Sequence, residues 1–375
     1  MPDLGGRPQL RPIRRTASVR RVLRCAQGGS MGLGQIKGHA PIRRLLARAV
    51  ARDALPPCLV LTGPDGVGKR RVALALAEML NCEALTAPEA GDPAAFPDAC
   101  GVCGACRRIA RGVHVDVIII EPGETGSIRI DAVRAAVDQA AYRPFEGRRR
   151  VVIFDDADRL VPEAQNALLK TLEEPPSASV FLLVTSRPHL LLATVRSRCP
   201  ELRFGGVPTD EIADILVTRH HVDPTAALAA AASADGSVAR ALETGSGDFM
   251  QARESAAVVL RTLAAAPNPK RRLEAGKELA GARRTSRSSA AAARETLIRR
   301  LRALGTLLRD LQVVAAGGDR ACLANADLAA ELTELLPSYD TDRALRGFAS
   351  VERAVNALTR NASPKVVADW LALQI

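Results

Sequence analysis

The chain has 375 residues, a formal net charge of +11, 47% hydrophobic and 3% aromatic residues. That length exceeds one typical domain and reads as two or three. No apolar run approaches the ~18–20 residues that cross a bilayer, and the few aromatics argue against stacking platforms for single-stranded bases.

The charge is uneven. Residues 1–30 hold seven arginines (7, 11, 14, 15, 20, 21 and 24) against one acid, Asp3. Residues 1–32 therefore read as a disordered basic leader or as a start placed too early, with Met31 as the real beginning. An organelle transit peptide is the other reading of such a composition. The remaining body is modestly basic, which suits phosphate contacts without demanding them.

From about residue 40 to 205, short apolar runs alternate with amphipathic stretches. The runs Cys58–Thr62, Val115–Ile120, Val151–Phe154 and Val180–Thr185 are rich in Val, Ile and Leu and too short for helices. They predict strands buried on both faces of a parallel sheet. Helices are predicted over Ile42–Arg52, Lys69–Leu80, Ile130–Ala141 and Pro162–Glu174, the last stopped by Pro175-Pro176. Strand and helix in alternation predict an α/β nucleotide-binding core. Beyond Phe204 only helical patterns remain. A small unit spans about 206–246 and an Ala/Leu/Arg-rich region spans 250–375. Within the latter, Arg283–Ser289 reads as a loop and Asn361–Pro364 as a turn before a last helix.

Gly63-Pro64-Asp65-Gly66-Val67-Gly68-Lys69-Arg70 follows the first strand. It resembles the phosphate-binding loop GxxxxGK[ST] with its last letter changed. Gly63, Gly66 and Gly68 let backbone N–H groups converge on an anion, and Lys69 adds a point charge at a helix start. The last position needs a hydroxyl to ligate Mg²⁺, and arginine cannot ligate a cation.

Cys100, Cys103 and Cys106, with Cys82 upstream, place four thiols in one region, residues 82–106. Four thiolates can close a tetrahedral structural zinc site; buried or redox-active cysteines are the alternative reading. Glycines 101 and 104 are expected to supply turns that aim the sulfurs, and 83–99 to form a surface loop. Cys25, Cys58, Cys199 and Cys322 have no partner at ligand spacing and read as packing residues.

Val151–Phe154 runs into Asp155-Asp156-Ala157-Asp158. In P-loop ATPases such a strand delivers one acid to the Mg²⁺ shell and a second to the attacking water. Asp155 suits the first role. Asp156 is one methylene shorter than the usual Glu. The other reading is that these acids cap a turn.

These motifs, with Asn166-Ala167-Leu168-Leu169-Lys170-Thr171-Leu172-Glu173-Glu174-Pro175-Pro176 and then Ser197-Arg198-Cys199, resemble the AAA+ clamp-loader family of bacterial DNA polymerase III. The resemblance is close over roughly 33–245 and loose over 250–375. It implies an AAA+ RecA-like α/β domain over 33–205 with a four-cysteine zinc insert, a helical lid over 206–246 and an all-α collar over 250–375. It implies gamma/tau and delta partners in a hetero-pentamer that places a sliding clamp on primed DNA through phosphate contacts, in the cytoplasm and away from any membrane. Arg70 and the Asp155-Asp156 pair resemble the delta prime branch rather than the gamma/tau motor. On that resemblance ATP with Mg²⁺ is not assured as a ligand and the chain's own ATPase activity is expected to be weak or absent. Arg198 resembles an arginine finger offered in trans to a neighbour's ATP. Thr185 lies where the family puts a polar residue near the γ-phosphate. Gly236–Arg240 resembles a second sensor region and Ile36–His39 the border of an adenine pocket. The rival readings are an active motor, an unrelated P-loop kinase and a structural protein whose loop binds nothing.

Overall fold

The computed structural model describes residues 30, 32–86, 96–123, 125–232, 234–244, 247–266, 268–280, 290–319, 323–360 and 362–375. The expectations for most of the leader, for Cys25 and Cys322, for the middle of the 83–99 insert, for the 283–289 loop and for Asn361 lie outside those residues. The chain divides into two compact units. One comprises residues up to Gly63 with Lys69–Phe204; the other comprises Pro64–Gly68 with Gly205–Ile375.

The first unit is built on five parallel strands: β1 (Cys58–Thr62), β2 (Val117–Ile120), β3 (Arg150–Phe154), β4 (Ser179–Thr185) and β5 (Glu201–Arg203). Their order across the sheet is β2-β3-β4-β1-β5. β1, β3 and β4 are buried along their whole length, as expected for the centre of a sheet covered on both faces. Around it lie α1 (Ala40–Ala51), α2 (Lys69–Asn81), α3 (Gly104–Ala110), α4 (Ile130–Ala140), α5 (Pro162–Glu173) and α6 (Ala193–Arg196). Val152, Phe154, Phe181 and Leu183 form one apolar core with Val133 and Leu168 of the covering helices.

The four predicted strands are all present. β2 starts later than its apolar run, because Val117 N–H bonds back to the His114 carbonyl in a turn that leaves Val115 exposed. β5 was invisible in the sequence. It has three residues, two of them charged, and sits at the sheet edge, where charge is the usual guard against further pairing. Its Glu201 carboxylate accepts from the Thr62 hydroxyl at 2.7 Å.

The second unit carries α7 (Thr209–His220), α8 (Pro224–Ala232), α9 (Val238–Thr244), α10 (Gly247–Ala264), α11 (Pro269–Ala280), α12 (Ala290–Ala315), α13 (Ala329–Leu335), α14 (Thr341–Thr359) and α15 (Pro364–Gln374). It has two apolar clusters. A small one joins Val207, Ile212, Leu216 and Ala241. A larger one runs from Ala256 to Ile375 and centres on leucines 301, 304, 307, 308 and 311 of α12. Among the described residues no helix is long and apolar enough to cross a membrane.

Candidate functional site

A parallel sheet directs every strand's C-terminal end to one edge, where ligands of α/β proteins gather. In the first unit that edge carries Gly63 after β1, Glu121 after β2, Asp155 after β3 and Thr185 at the end of β4. Register puts Thr185 opposite Thr62, and Ile120 opposite Phe154. Asp155, Thr185 and Gly63 therefore stand at the ends of the adjacent strands β3, β4 and β1. The sequence-predicted residues Gly63, Lys69, Asp155, Asp156 and Thr185 belong to this edge.

The loop's backbone is the kind only glycine adopts readily. Gly63, Gly66 and Gly68 have φ of 140°, 77° and 104°, in the left-handed half of conformational space. A Cβ on Gly63 would strike the Phe204 carbonyl. Lys69 opens α2 and is buried, its ammonium donating to the Gly63 carbonyl at 2.6 Å. Within the second unit, the Gly66 carbonyl accepts from Ala239 N–H at 3.2 Å. The neighbouring Arg240 of the predicted second-sensor segment pairs with Asp235 at 3.3 Å.

Arg70 defines the chemistry of the edge. Its guanidinium contacts Asp155 at 2.5 Å and also pairs with Glu121. Both carboxylates are mostly buried, with Glu121 12% and Asp155 16% exposed. A side-chain cation thus bridges the acid that a P-loop ATPase would turn toward Mg²⁺. The residues do not fit a Mg²⁺ ion: the ligating hydroxyl is absent and Asp155 is already neutralised. Glu121 was not singled out in the sequence. The signal for it is an acid directly after a buried strand.

Asp156 points elsewhere. It is in the left-handed region at φ 53° and its carboxylate lies 3.7 Å from Arg159. Thr185 donates to Asp158 at 2.8 Å, and Arg187 grips the same carboxylate with two N–H groups at 2.6 and 3.0 Å. Asp158 and Arg187 were also missed. They fix the Thr185 hydroxyl in direction. His39, in the segment matched to an adenine border, stacks edge-on against Phe204 with ring centres 4.8 Å apart.

Arg198 has its own setting. It follows α6 and is one third exposed. One amino group donates to the Thr194 carbonyl at 2.8 Å, and the other lies 2.5 Å from Glu173 at the end of α5. The structure thereby joins the two separate motifs NALLKTLEEPP and SRC.

The sulfurs of Cys82, Cys100, Cys103 and Cys106 all lie within 4.8 Å of one another. Ligands of a tetrahedral Zn²⁺ at about 2.3 Å stand ~3.8 Å apart, so the cluster could hold such an ion. Gly101 has the expected turn conformation at φ 73°. Gly104 does not make a turn: it is the first residue of α3, and the Cys103 sulfur caps that helix by accepting from Cys106 N–H. Burial works to raise the Cys103 thiol, but the N–H groups of Cys106 and Glu83, with the Cys106 and Cys100 side chains, outweigh it and bring it down to about 7, which favours the thiolate a metal needs. Cys58 and Cys199 are core residues and face each other. The contact with Cys199, helped by burial, pushes the Cys58 thiol well up, while the same contact lowers the Cys199 thiol.

A glycine loop after the first strand, an acid after the third and a five-stranded parallel sheet define a P-loop-type α/β domain. The family model described as "DNA polymerase III, delta subunit" matches residues 38–208. DNA polymerase III subunit delta' of Pseudomonas aeruginosa is 41% identical over 141 residues, which are 37% of this chain and 40% of that protein. Subunit tau of Salmonella typhimurium is 31% identical over 239 residues, 61% of this chain and 35% of that one. The chain thus spans less than half the length of these curated relatives. A solved gamma subunit-related protein of Thermotoga maritima aligns over 88% of this chain and 96% of its own at 18% identity. Its TM-score of 0.43 adds no weight. Over the matched residues, the chain is similar to bacterial DNA polymerase III clamp-loader subunits of the delta' and tau types.

Proposed function

We propose that this chain is a delta prime-type stator of the DNA polymerase III clamp loader. It assembles with gamma/tau and delta subunits in a hetero-pentamer that loads a sliding clamp onto primed DNA. The AAA+ domain over 33–205 is joined to a lid over 206–246 and a collar over 250–375, and duplex contacts are to phosphates rather than bases. The observation that carries the reading is the ion cluster of Arg70 with Asp155 and Glu121. A loop whose cation is a guanidinium holds its own acid away from Mg²⁺ and does not hydrolyse ATP. Its contribution is Arg198, presented to a neighbour's ATP, where a guanidinium neutralises charge on the transferred phosphoryl group and is worth ~10³–10⁵ in related NTPases. The thiolate cluster holds Zn²⁺ as a structural ion.

The test is DNA-dependent ATPase of a reconstituted clamp loader carrying wild type, Lys69→Ala or Arg198→Ala. We expect Arg198→Ala to abolish turnover at the one site it faces and Lys69→Ala to leave turnover intact. A second reading, a gamma/tau-type motor, is favoured by the 31% identity to tau over 239 residues and by the retained Lys69. Loss of a share of turnover in Lys69→Ala would select it.

A further inference from the structure

Arg198 sits between the ends of two helices. Glu173 is the last residue of α5, and Thr194, whose carbonyl accepts from Arg198, lies in α6. Helix C-termini carry partial negative charge and favour a cation. Glu173 adds a full charge at 2.5 Å from one amino nitrogen. A guanidinium has five N–H donors in a rigid plane. One amino group donates to the Thr194 carbonyl and, at 3.5 Å, to the Ser197 hydroxyl, and the other contacts Glu173, so three of the five are engaged. The group is one third exposed, so the side chain is held by these partners while part of it stays accessible to solvent.

We propose that Glu173 is a positioning residue for Arg198: it fixes the guanidinium plane so that the free donors face a phosphate held by a neighbouring subunit. The proposal rests on the trans-finger reading above. It gives the acid of the LEEPP segment a task in the chemistry of another chain. A long, unrestrained arginine samples many rotamers and would present its donors only part of the time. Clamping it beforehand removes that loss from the moment of reaction, as buried partners do for other reacting groups. The chain holds a second acid next door, Glu174, but the contact is made by Glu173.

The experiment is steady-state ATPase of the reconstituted clamp loader with DNA, comparing Glu173→Gln, Glu173→Ala, Arg198→Ala and the double variants. Assembly and melting temperature are checked for each. We expect Glu173→Ala to lower kcat by roughly 2- to 5-fold, the range of an exposed ion pair, with KM for ATP unchanged. Glu173→Gln keeps an acceptor oxygen and should fall in between. In the Arg198→Ala background neither change should matter further, which a merely structural role of Glu173 would not produce. The inference is overturned, with the trans-finger reading intact, if Arg198→Ala cripples turnover while Glu173→Ala leaves it alone or raises it. It is also overturned if the two losses add. If Arg198→Ala itself has no effect, the trans-finger reading fails and this inference fails with it.

Discussion

At the scale of single residues, the identity of position 70 decides what the loop can do. Arg70 has drawn Asp155 and Glu121 onto a guanidinium. Arg70→Thr would restore the hydroxyl and leave two adjacent carboxylates without their cation. We expect that variant to acquire a Mn²⁺ site in a paramagnetic titration, and wild type to show none that depends on Asp155. Mn²⁺ bound equally by both proteins would refute the resident-cation account. Asp116 is the other decisive carboxylate of this unit. It is fully buried and accepts N–H bonds from Phe145, Glu146 and Gly147 at 2.8, 2.9 and 2.8 Å, with Arg150 at 2.8 Å. Burial alone would raise this carboxyl, but the three N–H groups and Arg150 outweigh it and bring it down to about 2. The folded value lies below the unfolded one of about 3.9. The stabilisation is therefore complete above about pH 4 and is lost as pH falls toward 2, an effect on the order of 2 kcal/mol. Asp116→Asn should cost about 3–5 kcal/mol in urea unfolding at pH 7, since it leaves buried donors and Arg150 uncompensated. The same acid-limb dependence in the variant as in wild type would contradict this.

Among the elements, the strands and the main helices of the first unit were readable because each is a contiguous run of Val, Ile and Leu or an amphipathic repeat. What escaped was short or nonlocal. β5 is a three-residue charged edge strand. α3 follows a cysteine whose sulfur acts as its cap, a role that its spacing does not announce. The glycine loop, Lys69, Asp155 and the four clustered cysteines were legible because each motif is local. Glu121, Asp158, Arg187 and the Glu173–Arg198 pair were not, because their partners come from other strands or helices and only the sheet order brings them together. The four-cysteine cluster yields its own test. Cys103→Ser should reduce bound zinc, measured by elemental analysis, and lower the melting temperature of the metal-loaded chain. A variant with full zinc content would remove Cys103 from the ligand set.

For the molecule as a whole, two compact units with separate apolar cores predict two unfolding transitions rather than one. In the second unit Gly276 of α11 lies where a Cβ would sit 3.1 Å from the Ala368 carbonyl of α15, a backbone atom that cannot rotate away. Gly276→Val should therefore destabilise that unit by about 1–3 kcal/mol and shift one calorimetric transition. Asp116→Asn should shift the other. A single transition moved by both would show that the chain unfolds as one cooperative block.

The ion at the strand edge is delivered on the chain. A metal must be held against dilution, whereas a group fixed to the same backbone is present at an effective concentration set by its tether, millimolar or more for short links. Dialysis against a chelator leaves it where it is. The occupancy of the cation position at Asp155 and Glu121 is therefore a constant of the covalent structure, not a variable of the solution.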